Sequence, residues 1–248
     1  MKIGVKAFPD NREYLKQLAS KTELDFVEIM AVQGEDFSFL KKLGLPVVVH
    51  CEHFEFGVNL ADAKRNDKNR AAIHFAMDTA DAFDSRFIVL HPGVKEKSAC
   101  SLDNTINTVK GLDDKRIIME NMPFRYGPNG TFRHVGSSFE EMKSLMSATG
   151  KGMCLDLGHV NTVAFNKGVD AIGLVKKFME LRPAYFHMSD NKGPTDIHTS
   201  LGEGSMDIDA LKKAIAKQAK NPMVAIETVI NLEKQINDIS MMRGGVKQ

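Results

Sequence analysis

Cysteine is scarce in this chain. Its 248 residues include three, Cys51, Cys100 and Cys154, with no Cys-x-x-Cys spacing. So sparse and odd a set argues against a disulfide framework and fits a reducing, cytoplasmic setting. No apolar run approaches the length of a membrane span. The start, Met1-Lys2-Ile3-Gly4-Val5-Lys6, has no long apolar segment after its charge, so no signal peptide is expected. Neither sign of charge is in excess: the formal net charge is +1. No global field therefore favours nucleic acid over a small anion. That does not exclude DNA, because bound metal ions would add charge that this sum omits. No glycine-rich phosphate loop follows the first predicted strand, which argues against a dinucleotide-binding sheet. Repeats, linkers and low-complexity tracts are also missing, so residues 1–248 read as one domain. Nothing implies a protein partner.

What is present is ordinary in bulk and patterned in detail. Hydrophobic residues make up 43% and charged residues 26%, enough to bury a sizeable core. Apolar runs bounded by turn residues read as strands. They fall at Lys2–Lys6, Asp25–Met30, Pro46–His50, Arg86–His91, Arg116–Glu120, Gly152–Asp156, Ala184–His187 and Met223–Glu227. Helical spacing appears over Asn11–Ser20, Asp36–Leu43, Asp67–Phe83, Leu102–Leu112, Ser138–Ala148, Asp170–Leu181, Asp207–Lys220 and from Leu232 toward Met242. Ser138 stands three residues before Glu141, a capping-box pattern. A longer loop covers Asn121–Gly136, and Gly158-His159 directly follows the sixth strand. Eight alternations of continuous apolar strand and helix predict a single (β/α)8 TIM barrel. An open, doubly wound sheet is the alternative.

In such barrels the site lies at the C-terminal ends of the strands. Strand three ends in His50, strand four in His91, strand five in Glu120 and strand six in Asp156, with His159 three residues on. Strand seven carries His187, then Asp196 and His198 in its loop, and strand eight ends in Glu227. Singly, each has a plain explanation: a hydrogen-bonded histidine, a salt-bridged glutamate, a helix-capping aspartate. Together, carboxylates ending apolar strands would be costly to bury without a cation. Imidazole with carboxylate suits zinc, manganese or iron. His53, His74 and His134 lack such company and read as structural or solvated.

Several motifs carry a resemblance: His91-Pro92-Gly93, Glu120-Asn121, Asp156-x-x-His159, His187-x-x-Asp190, Lys192-Gly193-Pro194, Asp196-x-His198 and Gly202-Glu203-Gly204. In this order, over nearly the whole chain, they resemble the endonuclease IV family within the xylose isomerase-like barrels. The resemblance implies a trinuclear zinc site and cleavage of DNA on the 5′ side of abasic sites. It implies that Glu120 bridges two metals, with His50 and His91 on the first. Asp156, His187 and Glu227 would complete the second, and His159, Asp196 and His198 would hold the third. Glu120, Glu227 and His198 are then the expected catalytic residues.

The chain also departs from that pattern. Its loop between Pro194 and Asp196 is short, and Ala31–Glu35 offers no arginine to enter DNA. Phe26-Val27-Glu28-Ile29 is closer to the sugar isomerase branch. Glu52 and Glu55 would repel phosphate, while Phe54 or Phe56 could serve as an aromatic wedge and Arg125 or Arg133 as a phosphate contact. The competing expectation is a single-metal sugar isomerase or epimerase using Glu120, Asp156, His187 and Glu227, its two glutamates moving a proton on a small sugar. A barrel with purely structural metals is the non-enzymatic alternative.

Overall fold

Apolar runs of three to six residues pair in parallel and close on themselves. The computed structural model describes residues 1–126, 130–218 and 220–244. Part of the loop read over Asn121–Gly136, and Ala219 in the helix read over Asp207–Lys220, lie outside the described residues. In chain order the strands are β1 (Lys2–Ala7), β2 (Phe26–Ala31), β3 (Val47–Cys51), β4 (Ile88–Leu90), β5 (Val94–Lys95) and β6 (Ile117–Glu120). Then follow β7 (Arg125–Tyr126), β8 (Phe132–His134), β9 (Gly152–Asp156), β10 (Tyr185–Met188) and β11 (Met223–Ile226). The closed order is β1-β11-β10-β9-β6-β4-β3-β2, the parallel barrel expected from the alternation. Around it lie α1 (Arg12–Lys21), α2 (Phe39–Leu43), α3 (Asn66–Ala82), α4 (Leu102–Lys110), α5 (Phe139–Thr149), α6 (Leu157–Lys167), α7 (Ala171–Met179), α8 (Ile208–Gln218) and α9 (Leu232–Arg243).

Local chemistry sets the helix starts. Ser101, Ser138, Asp156, Asp170 and Asn231 each accept a hydrogen bond from the backbone N–H three residues on. Each such cap is typically worth about 1 kcal/mol. The sequence reading did not anticipate α6. It starts without a linker because Asp156, the last residue of β9, is itself the cap: its Oδ1 accepts from His159 N at 2.7 Å. Also unanticipated is a small antiparallel sheet, β5-β8-β7, within the loops above the barrel.

Strand alternation sorts the side chains into two cores. Val27, Ile29, Val49, Ile88, Leu90, Ile117, Met119, Leu155, Phe186 and Ile226 pack outward against the helices. Phe26, Val48, Val89, Ile118, Cys154, Tyr185 and Ala225 form a separate cluster that fills the barrel interior. Gly4 is the inward position of β1, and a Cβ there would meet the Phe26 ring at about 2.5 Å. Glycine on one strand thus makes room for the large ring on the next. No helix among the described residues is long and apolar enough to cross a membrane. The three cysteines are free and buried.

Candidate metal centre

Two residues further along each strand, the side chain points inward again, one layer nearer the C-terminal end. That step takes Gly4 to Lys6, Phe26 to Glu28, Val48 to His50 and Val89 to His91. It takes Ile118 to Glu120, Cys154 to Asp156, Tyr185 to His187 and Ala225 to Glu227. The apolar interior layer is therefore capped by one in which all eight strands offer a titratable group. Glu28, His50, Glu120, Asp156 and His187 are at most 1% exposed.

Six of these side chains, with His159 from α6 and Asp196 and His198 from the loop after β10, form three groups whose possible ligand atoms lie within 4.8 Å of one another. In the first, His50 Nε2 and His91 Nε2 face Glu120 Oε2 at 3.3 and 3.0 Å. In the second, His187 Nδ1 lies 3.1 Å from Glu120 Oε1, 3.1 Å from Glu227 Oε2 and 3.8 Å from Asp156 Oδ2. The third comprises His159, Asp196 and His198, with both Nε2 atoms on Asp196 Oδ2 at 3.1 and 2.9 Å. Glu120 turns one oxygen to the first group and the other to the second. The structure thus brings all nine sequence-predicted residues together, in the groups the resemblance implies. A fourth acidic cluster, Asp62, Glu96 and Cys100, is neutralised by Lys97 on Asp62 and Arg65 on Glu96, each at 2.6 Å.

The outer nitrogens of four histidines are taken. His50 Nδ1 donates to Cys51 O at 2.8 Å, His159 Nδ1 to Asn121 O at 2.7 Å and His198 Nδ1 to Glu227 O at 2.9 Å. His187 Nε2 donates to Glu28 Oε2 at 2.9 Å. Bonds of this kind fix the tautomer and aim the other nitrogen inward, as metal-ligating imidazoles require. His91 Nε2, Asp156 Oδ2 and Glu227 Oε2 are buried and make no hydrogen bond of acceptable geometry. All three are candidate ligand atoms, so a cation would satisfy what the protein leaves unsatisfied.

The loops are tied down by two asparagines. Asn121 clamps the Asp156 backbone, accepting from its N at 2.8 Å and donating to its O at 3.0 Å. Asn191 Oδ1 accepts from Ile197 N at 2.7 Å and His198 N at 3.3 Å, while its Nδ2 donates to Asp196 Oδ1 at 3.0 Å. Neighbouring Asp190 accepts from the N–H groups of Asn191, Gly202, Gly204 and Met206. A Cβ at Gly204 would collide with the Asp190 carboxylate, which accounts for the glycine in that motif. His198 has φ of 48°, a left-handed backbone uncommon outside glycine and asparagine.

Charge is dense here. Burial lowers the pKa of His159, but Asp156 and Asp196 outweigh it and hold the ring up to about 10. Burial lowers His198 as well, but Asp196 outweighs it and raises the ring to about 9. His91 is pushed down to about 4 by burial, against the pull of Glu120. Burial raises Asp156. It would raise Glu227 too, but Lys6 and His187 hold that carboxyl down to about 2. Lys6 stays protonated: burial lowers its pKa, and Glu227, Glu28 and Glu120 more than restore it.

A cleft of about 350 Å³ opens above the centre. Lys6, His91, Glu120, His159, Asp196, His198 and Glu227 line its floor, and Phe8, Phe54, Met122, Pro123, Val229 and Ile230 its apolar wall. His53 and His134 also line it, the former stacked on His91 with ring centres 4.8 Å apart. The reading that denied them the company of the site residues is thereby corrected, whereas His74 is exposed on α3, as expected. Phe54 faces the cleft, whereas Phe56 packs against His53 and lines a neighbouring groove. Glu52 is buried on Gln33, leaving Glu55 as the carboxylate at the mouth. Arg125 and Arg133 both stack on Phe124, outside the cleft lining. Sequence reasoning missed Lys6 and assigned no site role to Glu28. Their signal was a charge at an inward position of an otherwise apolar strand.

Comparison with known proteins agrees with this architecture. A probable endonuclease 4 of Lachnoclostridium phytofermentans is 26% identical over 199 residues, which cover 71% of this chain and 63% of that protein. The chain thus spans less than two thirds of that relative. The endonuclease 4 of Thermus thermophilus is 23% identical, with 83% and 77% covered. Among solved structures, a D-tagatose 3-epimerase-like protein superimposes with a TM-score of 0.77 at 22% identity, covering 98% of this chain and 96% of the other. The crystal structure of an endonuclease IV from Thermus thermophilus gives 0.73 at 20% identity, with 98% of each covered. At these identities the superpositions establish the fold alone. The model of the xylose isomerase-like TIM barrels matches residues 13–243, and the chain belongs to that family.

Proposed function

We propose that this chain, working as one barrel domain, is a metal-dependent phosphodiesterase. In this reading it holds three divalent ions, zinc first and manganese as a substitute, and cuts DNA beside abasic sites. One observation carries the reading: His159, Asp196 and His198 converge as a third group beside the two that share Glu120. Proton transfer on a sugar would need only the second group. The endonuclease 4 name borne by two relatives supports the same choice.

Bound there, such ions would acidify a water and offset charge building on a phosphate in the transition state. The chain's own residues do the rest. Glu120 fixes the spacing of the first two groups by giving each one oxygen. Glu227 holds the far side of the second group. His198, one-third exposed at its side chain, lines the cleft where a phosphate oxygen would arrive.

A second reading, a single-metal sugar isomerase or epimerase, is favoured by the cleft. It is small and apolar-walled, and no arginine among the described residues lines it. The two separate in one experiment. Zinc- or manganese-loaded protein is incubated with an abasic duplex at low salt, where phosphate contacts are strongest, and with a panel of ketoses. Incision that disappears in His198→Ala supports the first reading. Ketose turnover that survives His198→Ala, without incision, replaces it with the second.

A further inference from the structure

Lys6 and Glu28 bring charge into the polar layer yet belong to none of the three ligand groups. They are register partners on adjacent strands, β1 and β2. Both are buried, the Lys6 side chain 5% exposed and that of Glu28 not at all. Together with two of the proposed ligands they form a ring. Lys6 Nζ donates to Glu227 Oε1 at 2.6 Å. Glu227 Oε2 faces His187 Nδ1 at 3.1 Å, and His187 Nε2 donates to Glu28 Oε2 at 2.9 Å. Glu28 Oε1 lies 4.0 Å from Lys6 Nζ and closes the circuit.

The ring divides the work atom by atom. A carboxylate with both oxygens unengaged can grip an ion with both. Glu227 has one oxygen taken by an ammonium, so only Oε2 is turned to the second group. His187 has Nε2 taken by Glu28, so only Nδ1 is turned there. We propose that Lys6 is a positioning residue that restricts Glu227 to one-oxygen ligation of the second ion, with Glu28 as its counterpart for His187. The inference rests on the proposed function only in taking Glu227 and His187 as ligands. A counter-charge with no positioning role would act on the whole fold; this ring acts on one ion of the set.

The test uses full-length Lys6→Met, Lys6→Arg and Glu28→Gln, each loaded with zinc and dialysed against graded chelator. Metal per chain is read by elemental analysis and folding by thermal melting. A cobalt-loaded sample reports coordination through its visible absorption. Lys6→Met is expected to release one ion at roughly 10- to 100-fold lower chelator strength, the usual cost of losing an outer partner. The other ions should be held as in the parent, and the cobalt band of the weakened ion should change intensity. Glu28→Gln should weaken the same ion, and Lys6→Arg should recover part of the loss. If Lys6→Met fails to fold, Glu28→Gln and Lys6→Arg still decide the matter. In a parent that holds more than one ion, equal weakening of all of them, or no weakening of any, overturns the assignment. If the parent holds a single ion and that ion responds to Lys6 and Glu28, the three-ion reading fails and the ring stands. If the parent holds three and none responds, the ring fails and the three-ion reading stands.

Discussion

The strand-borne and loop-borne parts of the centre are built differently. Lys6, Glu28, His50, Glu120, Asp156 and His187 project from the barrel wall and are buried. Their directions follow from parallel register: Glu120 pairs with Cys154, His187 with Asp156, and Lys6 with Glu28. Asp196 and His198 sit on a loop, with side chains 15% and 33% exposed, against 17% for His91 and 19% for Glu227 at the strand ends. Their geometry comes from one asparagine, one left-handed residue and an isolated bridge between Asp190 and Thr199. Sheet register supplies a rigid frame without specialised residues. The loop needs a dedicated network to reach comparable order. The difference matters for function, because the loop group is what distinguishes a three-ion phosphodiesterase from a one-ion proton-transfer enzyme.

The largest effect should come from breaking the strand-borne part at its shared member. Glu120→Ala removes an oxygen from the first group and another from the second. Incision is expected to fall to background, and metal analysis should show two ions weakened together while the loop group keeps its own. Selective loss of one ion would mean that Glu120 does not link the groups.

Next in size is the layer beneath, which separates stability from chemistry. Phe26 is fully buried inside the barrel, with its ring centre 5.9 Å from that of Tyr185. Phe26→Ala should cost about 3–5 kcal/mol, read by denaturant unfolding. Metal content per folded chain should be unchanged. Loss of metal without loss of stability would mean that the two layers do not divide their tasks in this way.

On the loop side, His198→Ala should slow incision by roughly 10²-fold, the scale of one transition-state stabiliser. Its melting temperature should stay within a few degrees of the parent, since the side chain is partly exposed and packs little. A large fall in stability would place His198 with the frame instead.

The strand frame was legible in the sequence because two simple periodicities generate it. Apolar runs gave the eight barrel strands, and their polar last residues gave His50, His91, Glu120, Asp156, His187 and Glu227. Reading only strand ends hid Glu28, three residues inside β2, while Lys6, the last residue of the predicted first strand, was passed over because an ammonium is no metal ligand. Strict alternation counted from Phe26 would have found Glu28, and barrel closure would have paired it with Lys6. Asp196 and His198 were legible as a carboxylate and an imidazole two residues apart in the loop after strand seven, but only the motif resemblance grouped them with His159, since no periodicity governs a loop. The start of α6 was missed because Asp156 ends a strand and caps a helix at once, leaving no turn residue between them. The small sheet at β5, β7 and β8 escaped because runs of two or three residues carry no period.

The smallest effect, and the sharpest test of the contrast, is at Asn191. Its amide touches both loop-borne ligands, donating to Asp196 and accepting from the His198 backbone. It is a candidate ligand of none of the three groups. On a rigid strand, losing a partner that holds only the ligand's backbone, as Asn121 holds Asp156, would matter little, because register would still aim the ligand. On this loop, the left-handed backbone of His198 has few other supports: the Glu227 carbonyl on its ring and the Val229 amide on its carbonyl. Asn191→Ala is therefore expected to weaken the third ion about tenfold, the low end for an outer partner, and to slow incision by a similar factor. The equivalent strand-side change, Asn121→Ala, leaves Asp156 aimed by β9 and should shift the second ion by less. Competition with a chromophoric chelator measures both. Equal responses would show that the loop is as pre-organised as the barrel wall, and the contrast between them would fall.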